Sequence, residues 1–218
     1  MLRARTCAYV AATCALLVAT CALLAGGAYG TSTIVVQPNG RVDGHTYREW
    51  LVKSWRLRLA KPPSAPLCQR VGNVEVMLSA KKSRATYKCS VPVGRAVYIP
   101  GWGAECSTIE RAPFHGRTPA QLKRCARRYT KRAYSHIRWA IDGNTIDHPL
   151  SFVKASPVFR FHMPRHNILG LKKRSGRAAA YGGDFLLHNL AVGPHVIARS
   201  DRFFGVHYET TYRIRVNG

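Results

Sequence analysis

Past residue 30 the apolar positions of this chain recur with two periods, one helical and one alternating. In GHTYREWLVKSWRLRLAKPP, Tyr47, Trp50, Leu51, Trp55 and Leu59 fall at helical spacing. Thr46 and Glu49 supply a capping box at the start, and Pro62 and Pro63 stop the helix. A second helix is specified over TPAQLKRCARRYTKRAYSHIR, where Thr118, Pro119 and Gln121 are cap, first-turn proline and capping-box partner. Turning about 100° per residue puts Leu122, Cys125, Ala126, Tyr129, Ala133 and His136 on one narrow face. Lys123, Arg124, Arg127, Arg128, Lys131 and Arg132 occupy the other.

Elsewhere the period is two. VEVMLS, RATYKCSV and RAVYIPG are short β-rich runs divided by AKKS and PVG turn signals, whereas GWGAECSTIERAPFHGR reads as irregular. IRWAIDGNTID predicts a strand, an Asp-Gly-Asn turn and a strand. Phe159, Phe161 and Met163 alternate with Val158, Arg160 and His162, and Tyr212, Ile214 and Val216 alternate with Arg213 and Arg215. Many short strands with regular turns predict a mainly β domain, an antiparallel β-sandwich-like fold. Two amphipathic helices pack on it or across its ends, making it α+β overall.

The first 30 residues stand apart. Arg3 and Arg5 precede an uncharged Ala/Leu-rich run from Thr6, which closes in LAGGAYG. That is the layout of a signal peptide cut after Gly30. The run is also long enough for an uncleaved anchor. Residues 31–218 then form a single exported domain, long enough to bury its own core. Export gives the cysteines meaning. Cys7, Cys14 and Cys21 lie in the leader, leaving Cys68, Cys89, Cys106 and Cys125 for two disulfides in an oxidising compartment. Four cysteines allow three connectivities; proximity in sequence favours Cys68–Cys89 and Cys106–Cys125. A zinc site is the competing reading, but no Cys-x-x-Cys pair supports it.

Charge changes the picture further. The 218-residue chain carries a formal net charge of +24, unevenly: residues 31–110 hold 12 basic and 5 acidic side chains, residues 111–218 hold 20 and 5. Such an excess biases a protein toward polyanions. The second helix is the natural docking face, since no Glu is spaced to relieve its cations. Lys172, Lys173, Arg174 and Arg177 in GLKKRSGR extend that surface. The bland alternative is a solvated face that keeps the protein soluble.

The blocks QPNGRVDGHTYREW, LCQRVGNVEVML, YKCSVPVGRAVYIPGWGAECSTIE, AIDGNTID, SPVFRF and LAVGPHVI with TYRIRV resemble an uncharacterised family of secreted bacterial proteins. The likeness runs from about Pro38 to Val216. It implies an exported β-sandwich-like protein and brings no activity with it. Cys68, Cys89, Trp50, Trp55 and Glu105 fall on positions that match the family's pattern. Glu75, standing where the family has a large aromatic, and the heavy basic charge depart from it.

Catalytic signals are thin. Glu105 and Glu110 are candidates for an acid and base at a glycosidic bond, against a structural role in pairing the surplus arginines. His162 and His166 have a metal-pair spacing, but Pro164 and the preceding strand pattern argue against the helix that pair needs, so no metal site is expected. Trp50 and Trp55 either fill core or stack on a sugar or base. There is no Gly-x-Ser-x-Gly elbow and no phosphate-binding glycine loop, and no cofactor is expected. Three expectations follow: an extracytoplasmic protein binding anionic envelope polymers or a membrane surface; a hydrolase of a glycan or anionic polymer using Glu105 or Glu110; or a structural envelope protein.

Overall fold

The two capping boxes form as the sequence specifies, and they set the start of each helix. The computed structural model describes residues 34–78 and 83–218; the leader lies outside the described residues. Arg41–Val42 (β1) and His45–Thr46 (β2) make a small hairpin that delivers the chain to α1, Tyr47–Ala60. There Thr46 Oγ1 accepts from Glu49 N, and Glu49 Oε2 accepts from Thr46 N at 2.8 Å. In α2, Pro119–Ala133, Thr118 and Gln121 exchange the same pair of bonds. Each cap satisfies amide donors that the first helical turn leaves without partners.

The remaining strands build two sheets. β3 (Cys68–Val71), β4 (Val74–Met77), β6 (Ala96–Ser107), β11 (Ser175–Leu187) and β10 (Phe159–His162) form one, in the order β10-β11-β6-β4-β3. β9 (Val153–Ala155) joins β10 along the outer edge of β11. The second sheet runs β5 (Arg84–Pro92), β13 (Val206–Asn217), β12 (Gly193–Phe203), β7 (Tyr134–Ile141), β8 (Asn144–Thr145). Most neighbours are antiparallel, but β4 with β6 and β5 with β13 are parallel, so both sheets are mixed. The reason is the route of the chain. It leaves the first sheet after β4, runs back through the second as β5, and re-enters the first beside β4 in the original direction.

The sheets pack face to face around Trp139, Phe185, Trp102, Ile197, Tyr212 and Val97, all 3% exposed or less. Each such side chain stabilises the fold by about 1.5–3 kcal/mol. The first sheet is buried on both faces. Ala178 and Ala180 of β11 lie under Leu51, Val52 and Leu59 of α1. Ala179 and Cys106 face Leu122, Cys125 and Ala126 of α2, on the opposite side. From the α1 side the layers are therefore α1, the six-stranded sheet, then the five-stranded sheet with α2 beside it. Both favoured disulfides form: Cys68–Cys89 joins β3 in one sheet to β5 in the other, and Cys106–Cys125 ties α2 to β6.

The irregular reading of GWGAECS is overturned, because β6 continues straight through to Ser107. Gly103 and Gly182 face each other across β6 and β11, and a Cβ on Gly103 would stand 2.7 Å from Tyr181 O. These glycines permit a close strand approach rather than a break. The α2 face is also shorter than its pattern. The β12–β13 turn captures the helix end through Phe204 N donating to Ala133 O, so His136 sits exposed on β7 at φ +52°. Thr130, which the apolar pattern passes over, is buried and donates to Tyr181 O at 2.8 Å.

Candidate functional site

Two places gather the residues that chemistry would use. The first is the outward side of α2. Its apolar row is pinned by Leu122, Ala126, the disulfide and Thr130, so Lys123, Arg124, Arg127, Arg128, Lys131 and Arg132 are left to solvent. Among the described residues, no ion pair reaches any of them. Lys131 and Arg132 in the last turn suit the helix dipole, but the first turn holds no carboxylate, and Lys123 and Arg124 sit near its positive end. An anion there would meet both the cations and the dipole.

Beside this face the chain folds back. Gly116 N donates to Ser107 O at 3.2 Å, and a Cβ on Gly116 would press on Leu122 N at 2.9 Å. This close passage lays His115 and Arg117 against the start of α2. His115, Arg117, Gln121, Arg124 and Arg128 then wall a groove of about 330 Å³. Arg177 adjoins it, its Nη2 donating to Arg117 O at 3.4 Å. Lys172, Lys173 and Arg174 lie exposed on the β10–β11 connection, whose Leu171 packs into the α1-side cluster.

The second place is a cavity of about 500 Å³ along the edge of β6. It exists because β4 accompanies β6 only from Ala96 to Tyr98, leaving the later edge without a neighbouring strand among the described residues. Side chains from the second sheet and its neighbours cover that edge. Tyr212 Oη donates to Pro100 O at 3.2 Å, Arg199 Nη1 to Gly101 O, and Tyr134 Oη to Gly103 O at 3.3 Å. Both Glu105 and Glu110 line the cavity. Glu105 is 4% exposed and shares the α1-side face of the sheet with Ala180, its partner across the ladder. Glu110 accepts from Ser107 Oγ at 2.8 Å, a bond that folds its own loop. Trp55 lines the cavity too, whereas Trp50 is core, its Nε1 donating to Val42 O.

The cavity's other charged groups meet across long separations, and sequence reasoning misses them. Asp184 sits in the bulge of β11 and accepts from Tyr98 Oη at 2.5 Å and from Gly101 N at 2.9 Å. Burial outweighs those bonds and pushes its carboxyl up to about 6. Burial likewise opposes the Arg199 charge, but Asp201 beside it, with Tyr212 and Tyr134, outweighs that, and the guanidinium is held above its usual value. Arg58, from the last turn of α1, has no such partner among the described residues, and burial lowers its pKa. A β-bulge, inward-facing charges on a strand and a half-buried arginine at a helix end leave no periodic mark, so no pattern could have found them.

His162 stands on β10 with its Nδ1 2.7 Å from Ser175 Oγ. Among the described residues, no three His, Cys, Asp or Glu side chains gather to hold a metal. No helix among them is long and apolar enough to cross a membrane.

No family model matches the chain, and no curated protein matches it. Among solved structures, amebosin is 10% identical at a TM-score of 0.21, covering 62% of this chain and 99% of its own. The cysteine protease inhibitor EhICP2 from Entamoeba histolytica is 12% identical at a TM-score of 0.25, covering 66% of this chain and 96% of its own. At such scores neither carries a fold or a function over to this chain.

Proposed function

We propose that this is an exported, disulfide-stapled protein that docks on anionic envelope or extracellular polymers through α2 and the groove beside it. The observation that carries the reading is the row of α2 cations without carboxylate partners among the described residues, continued by Arg117 into a groove. The leader-like N-terminus, the two disulfides and the resemblance to secreted bacterial proteins support the compartment. Repulsion among unpaired cations is relieved when they neutralise an anionic chain, and the released counterions make binding salt-sensitive.

The test is titration of the oxidised protein with double-stranded DNA and with polyphosphate across a salt series. Arg124→Gln with Arg128→Gln is expected to weaken binding and to lower the slope of log affinity against log salt by about 2. An unchanged slope would make α2 a solvated face.

A second reading rests on Glu105 and Glu110 sharing one cavity: hydrolysis of a glycan or anionic polymer. It expects turnover to vanish in Glu105→Gln or Glu110→Gln while the unfolding midpoint holds, and activity surviving both changes excludes it.

A further inference from the structure

Among the described residues, the β6-edge cavity gathers acidic groups that are scarce in the molecule around it. The whole chain holds 10 Asp and Glu against 34 Lys and Arg. Four of those carboxylates, on Glu105, Glu110, Asp184 and Asp201, line this cavity with two guanidiniums, Arg58 and Arg199. Such a lining favours an occupant that brings positive charge of its own.

Two atoms say more about that occupant. Asp201 is 1% exposed, and its Oδ2 accepts from Arg199 Nε at 2.5 Å. Its Oδ1, equally buried, has no hydrogen-bond partner among the described residues. Arg58, which also lines the cavity, has its Nη1 buried without a hydrogen-bond partner among them. Leaving a buried charged donor or acceptor unsatisfied is costly, and here one of each sign lines the same space. An ammonium answers Asp201, and a carboxylate answers Arg58.

We propose that this cavity binds a short peptide with free termini, its ammonium received by Asp201 and its carboxylate by Arg58. Arg58 comes from α1 and Asp201 from β12 of the five-stranded sheet, so two separate elements bring the charges to one cavity. A di- or tripeptide carries one charge of each sign at its two ends, with side chains between them. A cavity of about 500 Å³ suits a ligand of that size. Between the charged ends, Trp55, Tyr129, Phe203, Ile168 and Leu169 offer aromatic and apolar walls for the peptide's side chains. With four carboxylates present, peptides of zero or positive net charge are preferred over acidic ones.

The experiment is calorimetric titration of the intact, oxidised protein with trileucine and with lysyl-tyrosyl-leucine, each free, N-acetylated and C-amidated. The free forms are expected to bind, and either block is expected to weaken binding about tenfold or more. Acetylation should cost nothing further in Asp201→Asn, nor amidation in Arg58→Gln. Because blocking the ligand leaves the protein untouched, the result stands even where a variant folds poorly. Affinity should be unchanged in the Arg124→Gln, Arg128→Gln protein, which separates this site from the α2 face. Equal binding of free and blocked peptides, or no binding of either free peptide, overturns the proposal.

Discussion

Asp184→Ala is expected to lower the free energy of unfolding by about 3 kcal/mol, and Asp184→Asn to remove a pH dependence that the wild-type protein shows. The carboxylate holds together three elements that are far apart in sequence. Ser54 Oγ of α1 donates to Tyr98 Oη at 3.0 Å, and Tyr98 Oη in turn donates to Asp184. Gly101 N donates to the other carboxylate oxygen. Alanine leaves the Gly101 donor without its acceptor inside the fold and takes the end off the chain of hydroxyls. Asparagine keeps an acceptor for Gly101, while its amide nitrogen donates to Tyr98 Oη, which then turns its own proton elsewhere.

The sign of the pH effect follows from burial. Asp184 binds its proton more tightly folded, at about 6, than at its ordinary value of 3.8. The stabilisation linked to that proton is full below about pH 4 and is lost as pH rises through 6, for a total of about 3 kcal/mol. Urea unfolding of the wild type and Asp184→Asn from pH 4 to 8 isolates this group, because other titrations cancel in the difference. A difference that stays flat with pH would show that Asp184 has no raised pKa.

Features written in neighbouring residues are legible in the sequence itself. Capping boxes whose partners stand three residues apart place both helix starts, and alternation places β10 and β13, because each signal is local and its physics acts locally. The pairing of four cysteines is also readable, since each bridge closes a short loop. What the pattern misses is set by distance. Gly101 and Gly103 look like loop residues until β11 brings its own glycines against them. Parallel pairing of β4 with β6 depends on where β5 goes, which no window around β4 contains. At the candidate sites the outcome divides the same way. The cations of α2 are visible as one helix face. The cavity is not, because Arg58, Asp184 and Asp201 converge from α1, β11 and β12.

Removing the Cys106–Cys125 bridge with paired alanines is expected to cost about 3 kcal/mol, the entropy of a loop of this length in the unfolded chain. The sequence separation is 19 residues. The bridge at Cys68–Cys89, with a separation of 21, carries a similar loss. Their local consequences differ. Cys68–Cys89 clamps the two sheets together, so its loss loosens the sandwich as a whole. Cys106–Cys125 holds only α2, a helix whose outward side repels itself and whose inward side is small: Leu122, Ala126 and Ala133 with the Thr130 bond to Tyr181. Without the bridge that narrow contact opposes the cation repulsion alone. Hydrogen exchange on the Cys106→Ala, Cys125→Ala protein should therefore show α2 amides opening well before those of β11 and β12. Added DNA or polyphosphate should slow that opening again, because an anion bound to the row removes the repulsion that drives it. If α2 and the sheets exchange together, the helix belongs to the same cooperative unit as the sandwich, and the bridge is one restraint among equals. If α2 opens first but anions leave its exchange unchanged, the cations of the helix take no part in binding.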